Sequence, residues 1–249
     1  MGHDVAMRSP VPRRGGSRVV RGRRRSRKVR AAIALLTVGG ALLVADAVAT
    51  VVWKEPVSAL LSARQQATLT DDLERLDGRL AQIAPSPAPR ETPAQRIASL
   101  ADTVRRTVRP GAALGRLTIP RIDGSWVVVQ GTRARHLRKG PGHYATSSLP
   151  GRPGTTAVAG HRTTYGAPFR RIDELVSGDR IVAKMPYGTF TYRVEGSRIV
   201  RPSQVGVLRD IGRPRLVLTA CHPLYSAEKR IIVFARLVGA VPRGAARRS

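Results

Sequence analysis

Twenty-three residues from Ala31 to Trp53 form an almost unbroken apolar run, AAIALLTVGGALLVADAVATVVW, whose single charge is Asp46. At a helical rise of ~1.5 Å per residue the run reaches about 34 Å, enough to cross a bilayer. Asp46 would cost about 2.5–3.5 kcal/mol at the centre of a spanning helix, but it lies toward the C-terminal end, close to the interface. A cleavable signal peptide is the competing reading, and small-residue cleavage sites are present at Val44-Ala45-Asp46 and Ala47-Val48-Ala49. The run is long for a signal-peptide core, so a retained anchor is expected. Farther on, Leu69, Leu73, Leu76, Leu80 and Ile83 recur at alternating spacings of four and three, with Glu74, Arg75, Asp77 and Arg79 between them. That is an amphipathic helix with heptad spacing. About two heptads hold, so packing on its own domain is expected ahead of a partner helix. Pro85, Pro87, Pro89 and Pro93 predict an extended spacer, and Ala94–Val108 a further helix that stops before Pro110-Gly111.

From Ala112 the period changes. Short runs with strand character follow one another: Leu114–Ile119, Trp126–Val129, Thr155–Ala159, Arg180–Met185, Thr189–Glu195, Leu216–Thr219 and Ile231–Val238. Turn chemistry separates them, as in Pro120-Arg121-Ile122-Asp123-Gly124 and Pro186-Tyr187-Gly188. Pro168–Leu175 is the one stretch suited to a short helix. The fold class is therefore mainly β, a closed barrel or a sandwich of about eight strands with short helices, preceded by a transmembrane helix and a helical stalk. The expected organisation is a basic tail over 1–30, an anchor over 31–53, a helical and Pro-rich stalk over 54–111, a catalytic domain over 112–240 and a basic tail over 241–249.

Charge places this domain. The chain carries a formal +28, and the block Met1–Arg30, with Arg8, Arg13, Arg14 and the Arg23-Arg24-Arg25 triplet, precedes the apolar run. The positive-inside rule then puts the N-terminus in the cytoplasm and residues 54–249 outside, a single-pass protein of the plasma membrane. The remaining arginines are scattered, without interleaved aromatics for base stacking, so no nucleic-acid partner is expected. Anionic lipids and wall polymers are the natural match for such a surface. Cys221 is the only cysteine, which excludes an intramolecular disulfide framework.

That thiol ends the apolar run Leu216-Val217-Leu218-Thr219-Ala220. Arg230 opens the run Ile231-Ile232-Val233-Phe234, and His161 closes Ala157-Val158-Ala159-Gly160. A thiol, an imidazole and a guanidinium, each at a strand end, are the parts of a thiol transferase: nucleophile, acid/base and electrostatic stabiliser. A lone cysteine at a strand end is commonly a small buried hydrophobe, and the company of His161 and Arg230 is what outweighs that reading. His222 is a rival base, but neighbours on an extended strand point to opposite faces. His143, Tyr144, Thr163 and Tyr165 are candidates for the substrate groove. No metal or other cofactor is expected, because neither the histidines nor the carboxylates have ligand spacing.

Leu218-Thr219-Ala220-Cys221, Ala159-Gly160-His161 and Arg230, in that order, resemble the sortases, membrane-bound cysteine transpeptidases of Gram-positive bacteria. Gly140-Pro141-Gly142-His143-Tyr144, His161-Arg162-Thr163-Thr164-Tyr165-Gly166 and Cys221-His222-Pro223 resemble the actinobacterial class E branch. The resemblance covers about residues 112–240, and it departs from the family where Ala220 replaces the usual threonine before the cysteine. It implies a sortase-type closed β-barrel, with Cys221 as nucleophile, His161 as acid/base and Arg230 as oxyanion stabiliser. It further implies cleavage of a C-terminal Leu-Ala-x-Thr-Gly or Leu-Pro-x-Thr-Gly sorting signal between Thr and Gly. The partners would be secreted proteins bearing that signal and, as acyl acceptor, an amine of a peptidoglycan precursor. Two other readings remain: another wall-facing cysteine peptidase or transpeptidase, and a non-catalytic module that grips anionic wall polymers through its arginines.

Overall fold

The structure is a computed structural model that describes residues 27–52, 56–86, 88 and 90–244. The expected basic tails fall largely outside the described residues, as do Trp53, Pro87 and Pro89. The chain divides into two units at Ala47/Val48. Helix α1 (Arg27–Val52), most of which lies in the first, takes up the apolar run as far as Val52, and Leu35, Leu36 and Leu43 on it are exposed. Among the described residues no helix is long and apolar enough to cross a membrane.

The second unit contains helices α2 (Pro56–Ile83) and α3 (Pro93–Thr107), followed by a barrel. The strands are β1 (Ala113–Ile119), β2 (Gly124–Gln130), β3 (Gly142–His143), β4 (Thr155–Ala159), β5 (Arg180–Met185), β6 (Gly188–Val200), β7 (Arg215–His222) and β8 (Lys229–Pro242). They close in the order β1-β2-β3-β4-β7-β8-β6-β5. Closure leaves no free sheet edge. Strands β4 and β7 run parallel, β7 and β8 antiparallel. Pro168–Leu175 supplies only the short 3-10 turn Ile172–Glu174.

The barrel interior is filled by alternate residues of each strand, as the period of two demands. Leu216, Leu218 and Ala220 of β7 and Ile231, Val233 and Ala235 of β8 point inward with Phe190, Tyr192 and Ile181. Strand β6 continues past the expected end at Glu195. A register shift between Val194 and Gly196 lets it bend and keep pairing with β8 as far as Val200↔Arg230.

Helices α2 and α3 lie on this barrel. Leu69 is buried against Ala113, Val127 and Val129, while Leu80, Ile97, Leu100, Ala101 and Val104 join the main core. Burying a leucine in this way is worth about 1.5–3 kcal/mol, so the heptad stripe of α2 adds substantially to the domain. Polar contacts set its register: Val127 N donates to Gln66 Oε1 (2.7 Å), Gln66 Nε2 to the Lys139 carbonyl (2.9 Å) and Arg243 to Asp77 (2.6 Å). A capping box of Thr92 and Gln95, with Pro93 in the first turn, starts α3.

Candidate active site

On β7 the residues that alternate with the inward-facing set, Arg215, Val217, Thr219 and Cys221, lie on the outer face. Their partners on β8 are Arg236, Phe234, Ile232 and Arg230. Strand β4 pairs Thr155 with Arg215, Ala157 with Val217 and Ala159 with Thr219, and Gly160 N donates to the Thr219 carbonyl at 3.0 Å. His161 lies two residues beyond Ala159, as Cys221 lies two beyond Thr219. Register makes Cys221 and Arg230 direct cross-strand partners, and His161, one residue past the Gly160–Thr219 bond, opens the loop after β4 as the next member of the row.

Each member of the row is held differently. Cys221 is half-buried, a thiol with access to solvent. His161 has its Nε2 buried without a hydrogen-bond partner, and burial holds its pKa below the ordinary histidine value, so the ring is neutral near pH 7. A buried ring nitrogen without a partner is costly in a folded protein and fits a position reserved for a reacting proton. The Tyr165 ring packs on the imidazole at 5.0 Å between centroids, and Arg138 stands 5.7 Å from the centre of the Tyr165 ring. Arg230 Nη1 donates to the carbonyls of Ala227 and Lys229 (2.8 and 2.9 Å), which fixes the guanidinium beside the strand end.

The loop leaving β4 is tightly specified. Gly160 packs so closely on the Phe169 ring that a Cβ there would come within 2.4 Å of it. Gly166 has φ +74 and lies against Ser62, so the N-terminal part of α2 reaches this loop. Arg162 is the residue that reading the sequence missed. Its side chain is 2% exposed, and it pairs with Asp173 at 2.8 Å. It also donates to the Arg170 carbonyl at 3.3 and 3.2 Å and from Nη1 to Nδ1 of His222 at 3.3 Å. One guanidinium thus ties the residue after His161 to the residue after Cys221. Because arginine only donates, Nδ1 of His222 accepts. An arginine beside a histidine gives no signal in so arginine-rich a chain.

The other candidates separate. A groove of about 240 Å³ runs from Arg230 and Thr219 across Ile232 to Tyr144, Val205 and Leu208. The Tyr144 hydroxyl lies 3.4 Å from that of Thr219. Thr163 is half-buried and Tyr165 exposed on the His161 loop; neither lines this groove. His143 faces away from it and is 1% exposed. Its partner across β3 and β4 is Val158, an inward residue, so the imidazole enters the barrel. There Nδ1 lies 2.9 Å from Gln130 Oε1 and Nε2 3.0 Å from the Ser148 carbonyl. Burial pushes its pKa down to about 4. Ala220, the departure from the usual threonine, also points inward, 3% exposed in the core. The hydroxyl on the thiol's own face belongs to Thr219.

Residues 117–238 match the Sortase domain family. Sortase E from Streptomyces avermitilis is 34% identical over 54% of this chain and 93% of its own, with a TM-score of 0.50. Sortase E1 from Streptomyces coelicolor, solved with a tripeptide in the active site, is 29% identical over 57% of this chain and 98% of its own, with a TM-score of 0.52. The SrtA sortase from Actinomyces oris is 30% identical over 57% of this chain and 88% of its own, with a TM-score of 0.50. Comparison with curated proteins returns no match. Barrel closure, strand order and sequence likeness to two Streptomyces class E enzymes agree, and the chain belongs to the sortase family of cysteine transpeptidases, in its class E branch.

Proposed function

We propose that the protein is a membrane-anchored transpeptidase that joins secreted proteins to the cell wall. It would cut a Leu-Ala-x-Thr-Gly or Leu-Pro-x-Thr-Gly sorting signal between Thr and Gly. The observation that carries this reading is the pairing of Cys221 with Arg230 at the ends of β7 and β8, with His161 opening the adjacent loop after β4 and the Arg230 side chain lining the groove of Thr219 and Tyr144.

The chemistry follows from the row. Neutral His161 accepts the Cys221 proton as sulfur attacks the threonine carbonyl, since the thiolate is the reactive form. The carbonyl oxygen gains a negative charge, which Arg230 stabilises. The carbon–nitrogen bond then breaks, and the imidazolium of His161 protonates the departing glycine amine. A thioacyl-enzyme remains. An amine of a peptidoglycan precursor attacks it, loses a proton to His161 and releases the Cys221 sulfur, which is reprotonated. Water in place of the amine gives hydrolysis. The exposed leucines of α1 support a lipid-facing anchor, and the basic residues before it favour a cytoplasmic N-terminus with the barrel outside.

The test uses the full-length chain in uncharged detergent with quenched peptides carrying each signal, hydroxylamine as acceptor and Cys221→Ala alongside. Threonine hydroxamate that forms with the wild type and disappears in the variant is the expected result. A folded wild type that yields no hydroxamate from either peptide would sink the reading.

A further inference from the structure

At the end of the barrel face opposite the thiol lies a row with no part in this chemistry. Arg215 on β7 pairs with Arg236 on β8, Arg236 with Arg193 on β6, and Arg193 with Arg180 on β5. Four arginines therefore stand directly side by side across four adjacent strands, about 14 Å from first to last at the usual strand spacing. Arg180, Arg193 and Arg236 are exposed and Arg215 is half-buried. Like charges directly opposite on a sheet destabilise it, and three such pairs in succession run against the fold's own interest. Among the described residues none of the four forms an ion pair. Glu195 and Asp210 act on Arg215 electrostatically without forming an ion pair with it: Glu195 pairs with Arg213 at 3.4 Å and Asp210 accepts from Gly212 N, while Asp179 accepts from Val176 N.

The row opens at Arg215 into a concavity of about 670 Å³ whose lining holds one carboxylate, Glu195, beside Arg198, Arg209, Ser197 and Phe234. Arg215 stands 5.2 Å over the Phe234 ring; its Nη2 donates to Thr155 Oγ1 and to the Val207 and Arg209 carbonyls, while its Nε is buried without a partner. Burial, with the charge of Arg213 adding to it, pushes the Arg215 guanidinium below its ordinary value. Arg215 lies six positions before Cys221 on β7, roughly 20 Å along the strand.

The geometry points to this arginine row and its adjoining slot as a binding site for a linear polyanion of phosphate groups. The charges form a line one side chain wide, which suits a chain of phosphates laid across the strands rather than a bilayer plane. A single-stranded nucleic acid would need exposed aromatic faces, and the one aromatic lining the slot, Phe234, is covered by Arg215. The site is independent of the chemistry at Cys221.

Labelled inorganic polyphosphate is the probe, with full-length protein in uncharged detergent. R180Q/R193Q/R236Q is compared with R64Q/R79Q/R121Q, which removes equal charge from exposed positions elsewhere. The row variant should lose at least tenfold in affinity at about 0.1 M salt, and its slope of log affinity against log salt should fall by about two to three. The control should lose less than twofold. Lysine at the three row positions should restore binding, and the glutamine variant should melt no lower than wild type at low salt, since repulsion has been relieved. Peptide cleavage should be unchanged. If the triple variant does not fold, R236Q at the centre of the row should still cost two- to fivefold where R121Q costs nothing. Equal losses in row and control variants would show that total charge, not this row, attracts the probe and would overturn the site. So would tighter binding of an equally charged oligonucleotide, or binding to phosphatidylglycerol vesicles without binding to polyphosphate.

Discussion

Strands β3 and β4 lie side by side, and each delivers a histidine that follows a glycine: Gly142-His143 and Gly160-His161. In the sequence the two segments look alike, down to a tyrosine close behind each. In the structure both rings are kept below the ordinary histidine pKa by burial. They differ in partners. Both nitrogens of His143 have hydrogen-bonding neighbours inside the barrel, whereas Nε2 of His161 has none and belongs to the loop that leaves β4 beside the end of β7. Burial does not separate a structural histidine from a chemical one; the unpartnered nitrogen at an accessible strand end does.

The largest expected effect separates the two directly. His161→Ala should lower the transfer rate by at least about 10²–10⁴, the scale of acid–base catalysis. Cys221→Ala should abolish it. His143→Gln should keep the rate per folded molecule within about threefold, while lowering the melting temperature through its lost bonds. Rates normalised to folded protein by circular dichroism check this, and a His143→Gln loss as deep as that of His161→Ala would erase the distinction.

The next effect is on stability. The unfolded chain takes up a proton on each histidine near pH 6.5, whereas folded His143 resists protonation until about pH 4. Between these values the unfolded state binds more protons, so stability is lost as pH falls through that window. The gap corresponds to about 3 kcal/mol at its lower end from His143 alone. Denaturant melts from pH 7.5 to 4 should show a slope that His143→Gln flattens.

Some of this was legible before the fold was known. Thr155–Ala159 and Arg180–Met185 are the observed bounds of β4 and β5, because the runs there meet Gly154 and Gly160, and Asp179 and Pro186, at their ends. Strand β3, two residues long, is too short to show a period, so His143 read as a loop residue of the groove. The continuation of β6 was hidden by Glu195, Ser197 and Arg198, polar residues that mimic a strand end and are accommodated by the shift at Gly196. The helix over Leu69–Ile83 was plain, but which surface its leucines cover depends on β1 and β2, brought to it only in three dimensions. The same holds for Arg162 and for the arginine row: cross-strand register is a property of pairing, and no local pattern announces it.

Arg162 sharpens the contrast from the other side, since it serves His161 without being near enough in role to replace it. Arg162→Gln should remove the clamp between the two loops and lower kcat about 10–100-fold with KM changed less than threefold, the signature of lost positioning. His222, which accepts from Arg162 at Nδ1 and has Lys229 as its cross-strand neighbour, should then lose that bond, read as a changed Nδ1 chemical shift by NMR. Arg162→Lys should restore charge but not the planar fork, and so recover only part of the rate. A fall in stability with no change in kcat or in the His222 Nδ1 chemical shift would reduce Arg162 to packing.

The smallest effect concerns the residue before the thiol. Ala220 faces the core, so a threonine there would bury a hydroxyl among Leu218, Ile231 and Val233 rather than present it to Cys221. Its new hydroxyl would need a backbone partner inside a paired strand, and without one it costs about 1–3 kcal/mol. Ala220→Thr should therefore melt earlier yet keep kcat/KM within about threefold, less than 1 kcal/mol in the barrier. Thr219, on the outer face two residues from the thiol, carries the hydroxyl that a substrate in the groove would meet. A tenfold change in rate from Ala220→Thr at unchanged stability would mean that the inner face of β7 reaches the thiol after all, and the division between a structural interior and a chemical exterior would have to be redrawn at this strand end.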